Sequence, residues 1–404
     1  MPPAPRVLLS ALALAQPMGG VRRQAAQLFP RVAHLLHTHG GSLSVLISRD
    51  GLPRKLEDAL PQSVERIQTQ AASGGALARA LTEPRALKAA LAGAEAGGSR
   101  FDIVHTGHMP VPGMAMPFTL MLHDLRDLEE GGAPMWRHAA ARYLLPRTLA
   151  RAAAICTVSN TMVQEISRHF PTEAKRVRLI PHGSDHLPRH PRAPGPLHPE
   201  GVDLSVEPDS GRMGIGPRKT LRDDRPPILY LGHLERRKNL DLLLDTIARD
   251  PSLPHLLLVG RAKNAEGQRL AARTRDLGIE SRISILGPVR EHLLPKLLAT
   301  AGCMVMPSRI EGFGIPVLEA HRAGLPIAIA RAGALPEAAA PNTPNFDPDN
   351  PEECGTALRV ALDQGPGELQ AAQNFAAKFT WDKSAEALFN VWCDVASGVS
   401  RELI

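Results

Sequence analysis

Along most of its 404 residues, this chain alternates short apolar runs with helical patterns. A strand buried on both faces of a parallel sheet reads as a continuous apolar run, and such runs separated by helices are typical of α/β domains. The runs of this kind are Val7–Leu12, Leu43–Ile47, Ile103–His105, Thr119–Leu122, Ala154–Val158, Val177–Ile180, Ile228–Leu231, His255–Val259, Ile283–Leu286, Cys303–Met306 and Pro326–Ala330. Because they form two sets, one in each half of the chain, we predict two doubly wound domains with parallel sheets.

The two sets are separated by Asp185–Pro227, which is rich in proline, glycine and charged residues and has no sustained apolar periodicity. Such a composition is typical of a linker or a surface loop. We therefore predict a Rossmann-like N-terminal domain over 1–184, a linker over 185–226, a Rossmann-like C-terminal domain over 227–378 and a final amphipathic helix over 379–404.

Histidines are frequent around the start of this segment. They are His182, His186, His190 and His198. Histidine clusters can hold a metal ion, but these spacings match no standard set of metal ligands. We interpret them as solvated residues of an irregular linker.

Composition excludes several classes of protein. Apolar residues make up 43% of the chain and charged residues 22%, which argues against intrinsic disorder. Aromatic residues make up only 3%, so base-stacking platforms are scarce and no nucleic-acid partner is expected, despite a net charge of +6. No uninterrupted apolar stretch reaches the roughly 18 to 20 residues that span a bilayer. The four cysteines include no CxxC pair, which disfavours a zinc or redox motif and fits a reducing cytoplasm.

The N-terminal run Val7–Ala15 has two interpretations. Preceded by Arg6 and ending in small residues, it is similar to a short signal peptide. Alternatively, it contains the first buried strand, followed by the glycine-containing loop Gln16–Gly20 and an amphipathic helix. A cleaved peptide does not require a phosphate-type glycine turn after it, so we favour the strand and predict a cytoplasmic protein.

The segment Pro307–Ala330 combines a glycine loop, a helix start and two glutamates. Pro316 fits the first turn of a helix, where its missing N–H is not needed. Gly312–Val317 therefore places backbone amides at a helix N-terminus, which suits phosphate or sugar oxygens. Glu319 is predicted to fall in the first helical turn, where it can accept hydrogen bonds from a diol. Glu311 can reach a second part of the same ligand.

Two other interpretations of this segment remain open on these residues alone. It could be an ordinary strand, loop and helix in which Glu319 only complements the helix dipole. The two glutamates could also form a glycosidase pair, which requires carboxyl groups about 5 to 9.5 Å apart.

Basic residues follow another predicted strand. Residues 228–240 read ILYLGHLERRKNL, in which Arg236, Arg237 and Lys238 come between the strand and an amphipathic helix. Cations at the carboxyl end of a strand suit a diphosphate bound in a cleft. A short basic run is also common on a solvated surface, but its combination with Glu311–Glu319 favours a ligand site.

These two segments make the chain resemble a known family. Glu311-Gly-Phe-Gly-Ile-Pro-Val-Leu-Glu319 matches the glutamate, seven residues, glutamate signature of the retaining glycosyltransferases of family 4 (glycosyl transferases group 1), which have the GT-B fold. Further matches are Gly19-Gly20, His123-Asp124, Thr157-Val158-Ser159, Ile180-Pro181-His182-Gly183, Arg237-Lys238-Asn239, Leu335-Pro336-Glu337, Phe346-Asp347-Pro348-Asp349 and Trp381. The resemblance covers nearly the whole chain apart from 185–225. It implies two Rossmann-like domains facing each other across a cleft, with the C-terminal helix crossing back to the N-terminal domain.

The resemblance also implies roles for individual residues. Arg237 and Lys238 would bind the donor diphosphate and stabilise it as the leaving group. Glu319 would hold the ribose hydroxyls, Glu311 would hold the donor sugar, and His123 would lie beside its anomeric carbon or 6-hydroxyl. The other implied donor-binding positions are Gly19, Gly20, Gly260, Arg261, Val289, Gly312, Phe313, Gly314 and Ile315. His233 departs from the family pattern, since many members have a second phosphate-binding arginine there.

The implied activity is retaining, metal-independent transfer of a hexose from a GDP- or UDP-linked sugar to a saccharide or lipid-linked acceptor in surface glycan assembly. The matched motifs look most like bacterial mannosyltransferases, which favours a mannose-like sugar. Two alternatives remain: a sugar-nucleotide epimerase or hydrolase on the same fold, and a degenerate subunit that binds its ligand without turnover.

Two further features each allow two interpretations. Arg137, Arg142, Arg147 and Arg151 lie in a stretch without acidic residues. They could contact anionic lipid at the inner face of the plasma membrane or form a solvated helix face. The sequence Asp347-Pro348-Asp349 imitates a metal-binding aspartate pair, but its Pro/Asn-rich surroundings favour a turn.

Overall fold

The structure, a computed structural model, describes residues 4–15, 19–71, 73–109, 111, 113–128, 135–187, 225–263, 265–289 and 291–398. Most of the predicted linker, with His190 and His198, lies outside these residues. The chain forms two compact units, which we call unit one (Met1–Gly183 with Thr380–Ile404) and unit two (Ser184–Phe379). Both units are α/β with parallel sheets, as predicted.

Strands and helices are numbered in chain order. The strands are β1 Arg6–Ser10, β2 Ser42–Ile47, β3 Glu65–Gln68, β4 Ile103–Thr106, β5 Phe118–Leu122, β6 Ala154–Thr157, β7 Val177–Leu179, β8 Ile228–Leu231, β9 Leu256–Val259, β10 Ile283–Leu286, β11 Cys303–Met306, β12 Ile327–Ala330 and β13 Asn345–Phe346. The α-helices are α1 Gly19–Thr38, α2 Arg54–Ala59, α3 Ala76–Ala96, α4 Met135–Arg151, α5 Asn160–His169, α6 Leu240–Arg249, α7 Glu266–Asp276, α8 Leu294–Thr300, α9 Ile315–Ala323, α10 Leu335–Ala338, α11 Pro351–Leu362, α12 Pro366–Ala376 and α13 Trp381–Ser397.

Within the described residues, unit one contains a seven-stranded parallel sheet in the order β3-β2-β1-β4-β5-β6-β7. The order reverses between β1 and β4, whose last residues, Ser10 and Thr106, lie opposite each other. Strands β4, β5 and β6 are buried along their whole length, as expected when helices cover both faces of a parallel sheet. In such sheets, ligands bind outside the carboxyl ends of the strands at the reversal.

The last helix, α13, belongs to unit one although it follows unit two in the sequence. Thr380 caps its N-terminus by accepting a hydrogen bond from the Lys383 N–H, and the helix packs against α1. Trp381 and Trp392 of this helix are fully buried. Trp392 Nε1 donates to Thr119 Oγ1 of β5 at 3.2 Å, which ties the helix to the sheet.

Within the described part of unit two, six parallel strands follow the order β10-β9-β8-β11-β12-β13, with the reversal between β8 and β11. Helix α6 buries Leu240, Leu243, Leu244 and Ile247, the residues whose helical spacing the sequence shows. Helix α9 ends at Gly324, which caps it in the left-handed conformation. The glycine loop and α9 therefore follow β11 at the reversal, as the sequence predicted.

The sheets contain two strands that the sequence patterns did not predict, β3 and β13. Each lies at one edge of its sheet, and β3 reads Glu-Arg-Ile-Gln with no fully buried residue. Neither strand has an apolar run that could mark it, because β3 is polar at three of its four positions and β13 is only two residues long. The favoured interpretation of the N-terminal run is confirmed in that Val7–Ser10 lies in β1, but Leu12–Ala15 forms a 3₁₀ turn.

Candidate functional site

The predicted site residues of unit two gather at the carboxyl ends of four neighbouring strands. Arg237 and Lys238 follow β8, Gly260 and Arg261 follow β9, Val289 follows β10, and Glu311–Glu319 follows β11. These strands flank the reversal between β8 and β11, where an open α/β sheet leaves a crevice for a ligand. His123, Gly19 and Gly20 belong to unit one.

The basic residues after β8 are held in one 3₁₀ turn, Arg236–Lys238. Asn239 ends this turn in the left-handed conformation (φ 55°), which asparagine tolerates better than most residues. Its Nδ2 donates to the Pro348 carbonyl oxygen at 2.7 Å, and its side chain is buried. Asn239 therefore fixes the end of the turn from which the side chains of Arg237 and Lys238 extend.

Arg237 and Lys238 lie against the loop that precedes α9. Lys238 Nζ forms an ion pair and hydrogen bond with Glu311 Oε1, and Arg237 Nη1 lies 3.7 Å from Glu311 Oε2. Arg237 Nη1 also donates to the Ile310 carbonyl oxygen at 3.1 Å, and its Nη2 lies 2.7 Å from Glu235 Oε1. Each cation thus lies against at least one carboxylate.

Burial and charge act in opposite directions on this cluster. Burial alone would raise the pKa of the Glu311 carboxyl, but the charges of Lys238 and Arg237 lower it below its ordinary value. Burial lowers the pKa of the Lys238 ammonium, an effect that Glu311 partly opposes. Glu311 is therefore an ionised carboxylate at neutral pH, available as a hydrogen-bond acceptor.

The start of α9 is shaped by glycine. Gly314 is the N-cap residue with φ 106°, and a Cβ atom there would lie 2.9 Å from Leu335 Cδ2. Among the described residues, no side chain caps this helix end. Phe313 is buried with its ring 6.1 Å from that of Phe379, so only backbone groups at Gly312–Ile315 can contact a ligand.

Glu319 does not lie where the sequence predicted. Because α9 begins at Ile315, Glu319 falls beyond its first turn, and it is fully buried rather than at the helix mouth. His186 Nε2 lies 2.8 Å from Glu319 Oε1, and the two side chains are 4% and 0% exposed. The interpretation of His186 as a solvated linker residue was therefore wrong.

The loops after β8 and β9 approach each other closely. Gly260 has φ 151°, and a Cβ atom there would lie 1.7 Å from the Gly232 carbonyl oxygen, so a side chain cannot be accommodated. Arg261 is exposed, and Val289 is half-buried. Burial lowers the pKa of His233, between these loops, to about 4. It is therefore neutral at pH 7 and supplies no positive charge, unlike the arginine that many family members have there.

In unit one, the half-buried His123 follows β5 and lies beside the buried His182. Its ring stacks on that of His182 with the centroids 6.4 Å apart and an interplanar angle of 13°, and His182 lies 5.6 Å from the Trp381 ring. Burial lowers the pKa of His123 to about 4 and that of His182 well below its ordinary value. Both rings are neutral at pH 7, and His182, like His186, is not the solvated residue we expected.

Unit one also has a buried polar network that the sequence did not reveal. Ser10 Oγ donates to Glu83 Oε1 at 2.7 Å, and His108 Nε2 lies 2.8 Å from Glu83 Oε2. The Thr106 hydroxyl lies 3.2 Å from His108 Nδ1. Ser10 and Thr106 end β1 and β4, so the network lies at the reversal of this sheet. It joins residues up to 98 positions apart, and no local motif marks it.

The Asp347-Pro348-Asp349 sequence forms the turn that we predicted. Asp347 Oδ1 accepts a hydrogen bond from the Asp349 N–H at 2.8 Å, and Arg309 Nη1 lies 2.5 Å from Asp349 Oδ1. Over the described ranges, no group of three or more histidine, cysteine, aspartate or glutamate side chains is placed to hold a metal ion.

The basic stretch predicted before β6 lies on α4. Arg142, Arg147 and Arg151 are exposed, and the Arg147 guanidinium lies 3.7 Å from the centroid of the Tyr143 ring. The side chain of Arg137 lies outside the described part of the chain. In that part, we find no helix long and apolar enough to cross a membrane.

Comparison with protein families gives two matches. The model of glycosyl transferases group 1 matches residues 216–378, and the model of glycosyltransferase family 4 matches residues 18–186. Two relatives are each named D-inositol 3-phosphate glycosyltransferase. The one from Mycobacteroides abscessus is 29% identical over 48% of this chain, and the one from Streptomyces bingchenggensis is 31% identical over 74%. The aligned regions span 45% and 66% of the lengths of these two relatives.

Solved structures share the fold. A glycosyltransferase from Rickettsia africae superposes with a TM-score of 0.66 at 16% identity, over 97% of this chain and 98% of that one. An Anabaena protein in complex with UDP and glucose superposes with a TM-score of 0.64 at 18% identity, over 95% of this chain and 98% of that one. At these identities, the likeness concerns the fold alone.

Proposed function

This chain belongs to the glycosyltransferases of group 1 and family 4, and we propose that it transfers a hexose from a nucleotide sugar to a saccharide or lipid-linked acceptor. The transfer retains the anomeric configuration and requires no metal ion. The observation that carries the proposal is the cluster of the half-buried Arg237 and the buried Lys238 against the half-buried Glu311, directly before the N-terminus of α9.

The chemistry follows from where charge develops. Breaking the bond between the sugar and the diphosphate leaves positive charge on the sugar ring and negative charge on the diphosphate. Fixed cations in a buried site stabilise that negative charge without reorganising. Arg237 and Lys238, with the backbone amides at Gly312–Ile315, supply this stabilisation. Glu311, released from Lys238 by the diphosphate, accepts hydrogen bonds from the sugar hydroxyls.

Unit one is suited to a different task in this proposal. His123 is half-buried and neutral, so its ring can exchange hydrogen bonds with a sugar hydroxyl without adding charge. The network of Ser10, Glu83 and His108 at the reversal of its sheet supports the assignment of the acceptor to this unit.

The comparisons support particular choices of donor and acceptor. The UDP bound by the Anabaena protein supports a UDP-linked donor beside the GDP-linked donor, and a mannose-like sugar remains our prediction. The relatives named for D-inositol 3-phosphate support a phosphorylated polyol as an acceptor to be tested first. We place the reaction in the cytoplasm and in surface glycan assembly.

A peripheral membrane contact is part of the proposal. The exposed Arg142, Arg147 and Arg151 of α4, with the 60% exposed Tyr143, suit an anionic lipid surface. Sedimentation with vesicles of neutral phospholipid, with and without phosphatidylglycerol, tests it. Binding only to the anionic vesicles, lost in the Arg142→Ala/Arg147→Ala variant, supports the contact. Equal sedimentation with both kinds of vesicle contradicts it.

The main experiment measures thermal unfolding with UDP, GDP, ADP and CMP, each in EDTA and in magnesium. A ligand at 100 times its Kd adds about 2.7 kcal/mol of stability, which gives a clear shift. Stabilisation by one nucleotide, equal in EDTA, supports a metal-independent donor site. The matching nucleotide sugar is then incubated with candidate acceptors. Release of free or epimerised sugar without a transfer product favours an epimerase or hydrolase, and no response to any nucleotide favours a degenerate subunit.

A further inference from the structure

A short segment of unit two, Ser184–Leu187, lies across the helix that carries Glu319, and we call it the strap. At its first residue, the Ser184 N–H donates to the Phe379 carbonyl oxygen at 3.0 Å, and the Ser184 hydroxyl donates to the Ala376 carbonyl oxygen at 3.0 Å. At its last residue, Arg322 Nε of α9 donates to the Leu187 carbonyl oxygen. The strap is therefore held at its first residue by the end of α12 and the residues that follow it, and at its last residue by α9.

The middle of the strap covers Glu319. His186 Nε2 lies 2.8 Å from Glu319 Oε1, and the Glu319 side chain is 0% exposed. A ribose hydroxyl must come within about 3 Å of a carboxylate oxygen to hydrogen-bond with it. With the strap in this position, no solvent-accessible surface of Glu319 is left for such a contact. A donor that uses Glu319 must therefore move His186.

We propose that His186 controls access of the donor's nucleoside to Glu319, with the strap as a gate that the ribose displaces. This inference rests on the proposed function, because the proposed nucleotide sugar provides the ribose. In the exchange, Glu319 gives up the hydrogen bond from His186 Nε2 and accepts hydrogen bonds from the ribose. The observed Kd is then the intrinsic Kd divided by the fraction of molecules in which the gate is open.

The gate makes an unusual prediction, namely that removing a buried side chain improves binding. The substitution His186→Ala removes the hydrogen bond that holds the gate and opens a path to Glu319. The net contribution of a buried hydrogen bond is large enough for its loss to raise the open fraction about tenfold. We expect His186→Ala to bind UDP or GDP about tenfold more tightly than the unchanged chain. The matched variant His186→Gln keeps a side-chain donor and is expected to stay close to the unchanged chain.

A second variant acts on the strap without touching Glu319. Arg322→Ala removes the anchor at Leu187 and is expected to tighten nucleotide binding in the same direction. Inorganic pyrophosphate serves as the control ligand, because it can occupy the cation site at Arg237 and Lys238 but has no ribose. Its affinity is expected to be the same in all variants.

Calorimetric titration of the full chain with UDP, GDP and pyrophosphate tests the proposal, with circular dichroism as the check on folding. Hydrogen exchange of the Ser184–Leu187 amides provides a second readout and is expected to rise when the nucleotide is bound. The gate is supported if His186→Ala and Arg322→Ala both bind the nucleotide more tightly than the unchanged chain. It is also supported if His186→Ala is the one protein that binds the nucleotide detectably. If the unchanged chain binds nucleotide but His186→Ala binds equally or more weakly, or if pyrophosphate tightens as well, the gate is wrong and the proposed function stands. If neither the unchanged chain nor any variant binds a nucleotide, the gate and the proposed function are both contradicted.

Discussion

The two sheets carry different charged groups at the points where their strand order reverses. In unit two, the carboxyl ends of β8 and β11 bring Arg237 and Lys238 against the ionised Glu311. In unit one, the carboxyl ends of β1 and β4 carry Ser10 and Thr106, which join Glu83 and His108 in a buried network. Under the proposed function, the same architecture binds a diphosphate at one edge and hydroxyl groups at the other.

The difference teaches that fold and function are set at separate places in this chain. Both sheets are parallel, both reverse once, and both are built from the same kind of apolar strand. What distinguishes them is a small number of polar residues that gather at the carboxyl ends of the strands, where sites can change without a change of fold. Substitutions at each edge should therefore affect separate steps of the reaction.

The largest expected effect is the loss of transfer in Lys238→Ala. This change removes a buried cation from the position where we propose that the leaving diphosphate develops charge, so we expect the transfer rate to fall about 10²- to 10³-fold. Arg275→Ala removes an exposed cation of the same unit and is the matched control. Initial rates with saturating nucleotide sugar provide the measurement. If the transfer rate of Lys238→Ala is within twofold of the rate of the control, the proposal that this edge stabilises the leaving diphosphate is contradicted.

A large effect on stability, without an effect on the donor, is expected at the other edge. Glu83→Ala leaves Ser10 and His108 buried without their shared acceptor, which costs about 1 to 3 kcal/mol. Glu83→Gln keeps one acceptor and should cost less. Urea unfolding measures the loss of stability, and nucleotide titration of the folded variants should give an unchanged Kd. A weakened Kd in Glu83→Gln would mean that the donor also depends on unit one.

Acid should destabilise the chain through its buried imidazoles. Burial lowers the pKa of His105 to about 3 and that of His123 and His321 to about 4, below the roughly 6.5 of an unfolded chain. Between these values the unfolded chain binds more protons, so this stability is complete above about pH 6.5 and is lost as the pH falls toward 4. We expect a loss on the order of 1 kcal/mol for each imidazole by pH 5.

Of the histidines with a lowered pKa, His105, His123 and His182 belong to unit one and His233 and His321 to unit two, so acid should weaken unit one more. Urea midpoints at pH 7 and pH 5 measure the effect, with His321→Gln and His105→Gln as the variants that remove one titrating group from each unit. His105→Gln should reduce the loss between the two pH values. An equal loss in His105→Gln and the unchanged chain would contradict the assignment to buried imidazoles.

The smallest effect is expected at Arg261, which follows β9 but is exposed. Solvent and salt screen an exposed cation, so Arg261→Ala should weaken nucleotide binding by no more than about fivefold, less at high salt. Calorimetric titration at two salt concentrations measures it. A loss as large as that of Lys238→Ala would show that the positive charge is spread across the strand ends rather than concentrated after β8.

The sequence predicted the elements whose signals are local. The central strands were found from their apolar runs, and Glu311–Glu319 was found because the loop and helix that carry it lie within nine consecutive residues. Strands β3 and β13 were missed because β3 is largely polar and β13 is only two residues long, so neither has an apolar run. The Asp347–Asp349 turn was predicted because its hydrogen bond joins residues two positions apart.

Features that depend on contacts between residues far apart in the chain could not be predicted from the sequence. The pairing of His186 with Glu319 joins residues 133 positions apart, and the stacking of His182 on His123 depends on how β5 and the segment after β7 come together. Histidines within a proline-rich segment carry no sign of burial, so we took them as solvated. The position of Glu319 beyond the first turn follows from the left-handed Gly314, which sets where α9 begins.

The most direct test compares nucleotide binding at the two edges. The unchanged chain, Lys238→Ala and Glu83→Gln are titrated calorimetrically with UDP and GDP in EDTA, after circular dichroism has shown that all three are folded. The unchanged chain and Glu83→Gln should bind one of the nucleotides with the same Kd, and Lys238→Ala should bind it far more weakly. Equal binding by Lys238→Ala, or an equal loss in Glu83→Gln, would contradict the assignment of the donor to unit two.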